Sequence, residues 1–575
     1  MNILGINGLG VSPSACLVRE GNLVALAQEE RFNRIKGSFG FMPVKAARFC
    51  LESQGLKLKD IDYIAFSWDA NKYRFYMPYF FLYTYIRYAP KLQGSFNFLR
   101  AFEQISKYSP RYLTGLINQM LGGEAGKENM PPVIFVPHHL AHAATSFYTS
   151  GLDQAYVLIV DGSGEDYSTT IFKGAGSALN FVSGYKVPNS LGWFYQSVTE
   201  FLGFIPNRQE GKTMALAPYG SQDEEVARKI EKMLFLTQKG YRHAAQYSFL
   251  GKHSGGTVYS DQMIDLFGRP RNQQDPISSW HKNIAYQTQN KLEQVVSNLV
   301  KRIAAYPGYQ GNLCLSGGVS LNCKLNGSIA GMDFVRRLSV SPFPNDAGTC
   351  LGAALYLSQK KGFSRKFKLE HSYWGPFFSC QDVEEILINC KVKFEKKINL
   401  EKTVADLIFQ DKIVGWFQGR MEAGPRALGN RSILANPLKN HISGQVNKKV
   451  KNRETWRPFA PSILYEERSD YVIGSQEAPF MAVSFPVPEK VQKELPAVVH
   501  VDSSTRPHFV KKDVNLRFWK VIDEFRKKTG KAALLNTSFN LRGEPIVCTP
   551  EDALKAFYAS GLDHLVIEDF LVHKE

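Results

Sequence analysis

Short apolar runs separated by glycine turns dominate the first half of the chain. "ILGINGLGVSPSACLVREGNLVALAQEERF" (3–32) reads strand, glycine turn, strand, "EGN" turn, strand. Residues 155–185, "AYVLIVDGSGEDYSTTIFKGAGSALNFVSGY", repeat that plan. Two further apolar runs each pass through a polar turn into a helix. In "NLCLSGGVSLNCKLN" (312–326) the turn is Gly317-Gly318 with Asn322 beyond it, and in "LSVSPFPNDAGTCLGAALYL" (338–357) it is Asn345-Asp346-Ala347-Gly348. A duplicated three-strand unit followed by helices predicts a two-lobed α/β domain of the sugar-kinase, Hsp70 and actin type. In that plan the hairpin turns point into the cleft between the lobes, where backbone N–H groups can hold phosphates.

"PVIFV" (132–136) predicts a buried strand, and "PHHLAHAATSFY" a helix with Pro137 in its first turn. Spacing i, i+4 puts His138 and His142 on one helix face and turns His139 elsewhere. Two stacked imidazoles at a strand end can chelate a divalent metal; the same pattern also serves as amphipathic filler. Asp346 lies at the C-terminal end of a strand, where ligands collect in open α/β sheets, although a helix cap is its plainer reading.

Residues 363–378 are polar and turn-rich and predict a linker between a domain at 1–362 and a second at 379–575. Arg420, Arg426, Arg431, Lys451, Arg453, Arg457, Arg506 and Arg542 of the second domain sit beside Gly, Pro, Trp and Phe, with few acidic residues. Arginines in such settings pair structurally or line an anion pocket, and the shortage of carboxylates favours the pocket.

The chain of 575 residues is long enough for two or more domains. Its 70 Lys+Arg against 53 Asp+Glu give a net charge of +17 without long basic runs, which fits phosphate-bearing substrates and decides nothing alone. The eight cysteines form no C-x-x-C pair, pointing to free thiols and a cytoplasmic protein and away from a zinc ribbon. No signal-peptide pattern opens the chain, since Arg19 is its first positive charge. The aromatic run 75–86 is too short to span a membrane and is expected to pack on its own domain or a partner subunit.

Taken together, "QEERFNRIK", "HHLAHAATSFYTSG", "LIVDGSGE", "EGKTMALAPYG", "SGGVSLN", "NDAGTCLGAA", "QGRMEAGPRALGNRSIL", "WRPFAPS" and "NTSFNLRGEPIV" resemble, almost end to end, the antibiotic and nodulation-factor O-carbamoyltransferases. The resemblance implies an actin-like N-terminal domain similar to the tRNA threonylcarbamoyl-adenosine transferase, with an iron-type metal centre. It also implies a C-terminal α/β domain similar to threonylcarbamoyl-adenylate synthase. In such enzymes carbamoyl phosphate and Mg–ATP become carbamoyl adenylate in the C-terminal domain, and the N-terminal domain passes the carbamoyl group to a hydroxyl of a small molecule.

Carried over by position, His138, His142, Asp161 and Asp346 resemble the metal ligands. Gly162, Gly164, Gly211, Lys212, Gly317, Gly318 and Asn322 would surround the adenylate, and Lys36 would face the acceptor. Arg420, Arg426, Lys451, Arg457, Arg506 and Ser538 resemble the ATP and carbamoyl-phosphate site; Asp161, Lys36, Arg457, Lys451 and Ser538 would be the catalytic groups among these sets. Where the family often has His-Asp in the first hairpin, this chain has Val11-Ser12, leaving the proton-accepting role to the metal with Asp161, to His139 or to the substrate. The insert at 70–125 has no family counterpart and is expected to shape an acceptor pocket or a homodimer contact. Two other readings stay open: a tRNA threonylcarbamoyl-type modification enzyme, disfavoured because no RNA-binding module or basic stripe is present, and an inactive regulatory actin-like protein. Neither nucleic acid nor membrane is an expected partner.

Overall fold

The computed structural model describes residues 1–76, 109–122, 130–248, 257–363 and 366–574. Of the insert expected at 70–125, residues 77–108 and 123–125 lie outside the described residues, and most of the aromatic run 75–86 with them.

The duplication is real in three dimensions. The first lobe holds β1 (Asn2–Asn7), β2 (Ser14–Arg19), β3 (Asn22–Gln28), β4 (Tyr63–Phe66) and β5 (Val133–Phe135) in the order β3-β2-β1-β4-β5. The second holds β6 (Gln154–Val160), β7 (Tyr167–Ala175), β8 (Ala178–Lys186), β11 (Asn312–Ser316) and β12 (Arg337–Val340) in the order β12-β11-β6-β7-β8. Read from the other edge, this is the same sheet. A hairpin pair opens each lobe antiparallel, and the next two strands add in parallel on the other side. The central strands are apolar on both faces because helices cover both, as parallel pairing requires. A small hairpin, β9 (Leu234–Thr237) with β10 (Gly240–His243), decorates the second lobe.

The lobes meet along two helices, His138–Tyr148 and Thr349–Lys360. Small residues bring them close: a methyl group on Gly352 would stand 1.8 Å from the Ala141 carbonyl oxygen. Thr145 Oγ1 donates across the contact to the Gly348 carbonyl at 2.7 Å. Each helix follows the last strand of its lobe, so this contact faces the strand ends of both sheets toward one cleft.

The second domain is built on an eight-stranded mixed sheet. Its strands are β13 (Phe394–Lys396), β14 (Val414–Phe417), β15 (Arg431–Ala435), β16 (Ala460–Leu464), β19 (His508–Val510), β20 (Ala533–Ser538), β21 (His564–Ile567) and β22 (Phe570–Val572), in the order β13-β22-β21-β14-β15-β20-β16-β19. A two-stranded ribbon, β17 (Phe485–Pro486) with β18 (Ser504–Thr505), lies outside it. Polar clasps join the domains. Arg31 donates to the Gly424 carbonyl (2.7 Å), Arg34 donates to the carbonyls of Ile546 (2.7 Å) and Pro545 (3.1 Å), and Lys324 pairs with Asp502. Much of "QEERFNRIK" therefore serves to hold the second domain against the first. Among the described residues, no helix is long and apolar enough to cross a membrane, and all eight cysteines are free.

Candidate functional site

The helix His138–Tyr148 is almost wholly buried, which an Ala-, Ser- and Thr-rich sequence permits and which leaves its histidines away from water. Pro137 stands at its N-cap without a capping side chain. Glu165 caps the helix instead, with Oε1 accepting from the amides of His138 (2.9 Å) and Asp69 (2.6 Å). Burial raises the Glu165 pKa against those bonds.

His138 Nδ1 faces the Ser67 carbonyl oxygen at 3.2 Å, which can only accept, so the ring proton sits on Nδ1. His142 Nδ1 faces Ser316 Oγ at 3.2 Å, and that hydroxyl donates to the Pro344 carbonyl. Both Nε2 lone pairs therefore converge, 3.2 Å apart. Asp161 Oδ2 lies 3.2 Å from one and 3.3 Å from the other, with Asp346 Oδ1 at 3.7 and 3.6 Å. The Gly318 amide fixes the other Asp161 oxygen at 3.0 Å.

Four electron-rich atoms within 4.8 Å of one another repel unless a cation joins them. A proton can do so. Burial opposes charge on His142, but Asp161 and Asp346 outweigh it and lift its pKa to about 9. Burial likewise opposes the Asp161 carboxylate, yet the two histidines hold it well below the carboxylate range. A divalent metal fits the same donor set, two imidazoles and two carboxylates, with the Ser67 carbonyl and Ser316 hydroxyl already orienting both rings. His139 is apart, its Nδ1 on Thr170 Oγ1 at 2.8 Å.

Asp161 and Asp346 form one end of a cavity of about 1050 Å³. The hairpin turns reach it as Leu9–Ser12 and Gly162–Glu165, and Lys36, Gly211, Lys212, Gly318 and Asn322 line it too. Gly317 does not line it. Its φ of +89° lets β11 turn where a Cβ would meet the Val160 carbonyl oxygen at 2.3 Å. Asn322 is tied to Gln289 and caps the helix Cys323–Ala330.

The second domain supplies the other end through Arg426, Lys451, Arg453, Arg457, Ser538 and Arg542. Burial, then Arg506 and Arg457, push Arg426 down to about 9; Arg453 falls to about 9 through burial and Arg457. Arg506, expected in the same pocket, does not line the cavity: it is half-buried near Arg426, and its Nε has no partner among the described residues. Lys451 ends a π-helical turn, Val446–Lys451, and its Nζ donates to Asn540 Oδ1 (2.9 Å) and to Ser538. Burial and the neighbouring cations push its pKa well down. Carboxylates are scarce here: Glu454 answers Lys212 at 2.8 Å, tying the two ends of the cavity together.

Two further expected anion-pocket arginines lie elsewhere. Arg420 donates to the carbonyls of Trp374 and Gly375 and does not line the cavity. Arg431 is buried against the Phe417 ring at 3.5 Å and donates to the carbonyls of Gln418 and Asn430. The pairings of Glu165 and Glu454, and the Trp68 ring stacked 4.3 Å from that of His138, were not foreseen from the sequence.

The descriptions Carbamoyltransferase N-terminus and Carbamoyltransferase C-terminus match residues 2–355 and 405–574. The chain belongs to the carbamoyltransferase family. This carbamoyltransferase is 35% identical over 604 residues to an uncharacterised protein of Synechocystis sp., covering 100% of this chain and 97% of that one. It is 35% identical over 570 residues to nodulation protein NolNO of Sinorhizobium fredii, covering 98% of this chain and 78% of NolNO. Among solved structures, component A of the (R)-2-hydroxyglutaryl-CoA dehydratase of Acidaminococcus fermentans aligns at TM-score 0.33 and 12% identity, over 63% of this chain and 98% of that chain. The carbamoyltransferase is a transferase.

Proposed function

We propose that this carbamoyltransferase makes carbamoyl adenylate from carbamoyl phosphate and Mg–ATP and passes the carbamoyl group to a hydroxyl of a small molecule. The observation that carries the reading is that one cavity joins an under-neutralised arginine cluster to the His138–His142–Asp161–Asp346 nest. We divide the chain accordingly into a transfer domain (1–362), a linker (363–378) and an activating domain (379–575).

Carbamoyl phosphate and a triphosphate together bring several negative charges into one pocket. Arg426 and Arg457 would bind them and stabilise departing pyrophosphate, with Arg506 adding its charge next to Arg426 and with Lys451 and Ser538 beside the reacting phosphate. Lys212, Gly162, Gly164 and Gly318 would hold the adenylate, and Lys36 would steady its charge from the first lobe. His138, His142, Asp161 and Asp346 would hold a divalent ion, iron on the family's pattern. When bound, that ion supplies Lewis acidity toward the carbamoyl oxygen or the acceptor hydroxyl. Enclosure matters because a mixed anhydride in open water hydrolyses.

The test is formation of AMP and pyrophosphate that requires carbamoyl phosphate. Arg457→Ala should lose it by at least about a hundredfold, in the range measured for removed charge-stabilising donors. ATP consumption indifferent to carbamoyl phosphate would end the proposal.

A further inference from the structure

The loop between β14 and β15 delivers Arg426 to the cavity, and it is held from three sides. From within, Glu422 is buried and its Oε1 accepts from the amides of Leu428 (2.7 Å), Asn430 (2.8 Å) and Arg431 (3.1 Å), closing the loop on itself. From the segment before the second domain, the Ser372 carbonyl accepts from the Ala423 amide at 2.7 Å, and the Tyr373 hydroxyl donates to the Leu428 carbonyl at 2.7 Å.

The third hold comes from the first domain. Arg31 is 3% exposed; its Nη2 donates to the Gly424 carbonyl at 2.7 Å and to Gln28 Oε1 at 3.0 Å, and its Nη1 pairs with Glu30 Oε1 at 3.0 Å. Gly424 is where the loop presses on the first domain. Its φ is +97°, and a Cβ there would stand 2.5 Å from the carbonyl oxygen of Pro342, four residues before Asp346. Arg34 and Lys324 already join the domains elsewhere. Arg31 differs because its bond lands two residues before a guanidinium that lines the cavity. That guanidinium is repelled by Arg506 and Arg457, so a loosely held loop would let it swing away from them.

We infer that Arg31 is a positioning residue for Arg426: by holding the Gly424 carbonyl from the first domain it aims the Arg426 guanidinium at the bound phosphate. Anion binding in the second domain then depends on a side chain of the first. This rests on the reading of the arginine cluster as the ATP and carbamoyl-phosphate site, and adds that the site is complete only with the domains docked.

The experiment titrates the full chain with pyrophosphate by calorimetry at fixed ionic strength. Wild type, Arg31→Met, Arg426→Leu and the double variant form a cycle. Arg31→Met should weaken pyrophosphate binding by about tenfold in the wild-type background, the scale of one charge-assisted hydrogen bond, and by less than twofold once Arg426 is gone. A direct pull of the Arg31 charge on the anion would persist in both backgrounds. Gln28→Leu leaves every charge in place and removes the acceptor that steers Arg31. It should weaken binding by about threefold, again only while Arg426 is present, and it decides the matter if Arg31→Met does not fold.

Unchanged affinity in Arg31→Met overturns the inference, as does an equal loss with and without Arg426. With Arg31→Met unfolded, unchanged affinity in Gln28→Leu does the same. Wild type that binds no pyrophosphate instead removes the underlying reading of the cluster, and the inference with it.

Discussion

Arg426 lies beside Arg506 and Arg457, and no carboxylate figures among the charges acting on it. Its guanidinium is held down from 12.5 to about 9, chiefly by burial and then by those neighbours. At 1.36 kcal/mol per pKa unit this is on the order of 5 kcal/mol, a ceiling because water enters the cavity. Arg426→Leu removes the charge and keeps most of the side-chain volume. Allowing for screening and lost packing, the ligand-free protein should gain about 1–2 kcal/mol, near 2–6 °C for a domain of this size. Differential scanning calorimetry in anion-free buffer, followed by a pyrophosphate titration, reads both parts. Wild type should start lower and climb steeply with pyrophosphate, whereas Arg426→Leu should start higher and climb little. A variant melting below wild type, or equal pyrophosphate shifts in both, would refute the view that this cluster is strained until an anion arrives.

Three other outcomes follow from single contacts. Gly352→Ala places a methyl 1.8 Å from a backbone oxygen in the contact between the lobes, so it should cost at least about 3 kcal/mol in chemical denaturation. Arg34→Ala loses two carbonyl partners and the Asp552 pair at 3.3 Å, freeing the loop that carries Arg542; a raised KM for ATP with a loss of about 1–2 kcal/mol should follow, read by steady-state kinetics and melts. Burial opposes the Asp502 carboxylate, but His500 and Lys324 outweigh it and depress its pKa. A depressed carboxylate stabilises the fold fully above the ordinary aspartate value of about 4 and loses that contribution as pH falls from there through the folded value. The stability gap between wild type and Asp502→Asn should thus be widest near neutral pH and close in acid, as followed by denaturant melts.

The fold was legible because its signals are local. Strand, glycine turn and strand repeat within about thirty residues, and both copies of "β1-β2-β3" formed as the apolar pattern requires. Helical spacing alone put His138 and His142 on one face. Asp161 and Asp346 join them from other elements, a convergence that periodicity cannot express and that the family resemblance supplied. The arginines show where local reading ends. Arg420 and Arg426 share a Gly- and Pro-rich stretch, yet one answers backbone carbonyls while the other faces the cavity. What separates them is contact with Trp374 and Gly375, some 45 residues away. The Lys212–Glu454 and Ser12–Asn345 pairs are likewise made between residues hundreds of positions apart.

Handover inside a single molecule can be tested by mixing two crippled chains. Arg457→Ala should fail to form the adenylate, and His142→Ala should form it but fail to transfer. If the shared cavity carries the intermediate, an equimolar mixture supplied with Mg–ATP, carbamoyl phosphate and a hydroxylated acceptor that wild type carbamoylates should yield no more carbamate ester than the two variants assayed separately. Recovery of a substantial fraction of wild-type ester in the mixture would show the intermediate travelling through solvent and contradict the account.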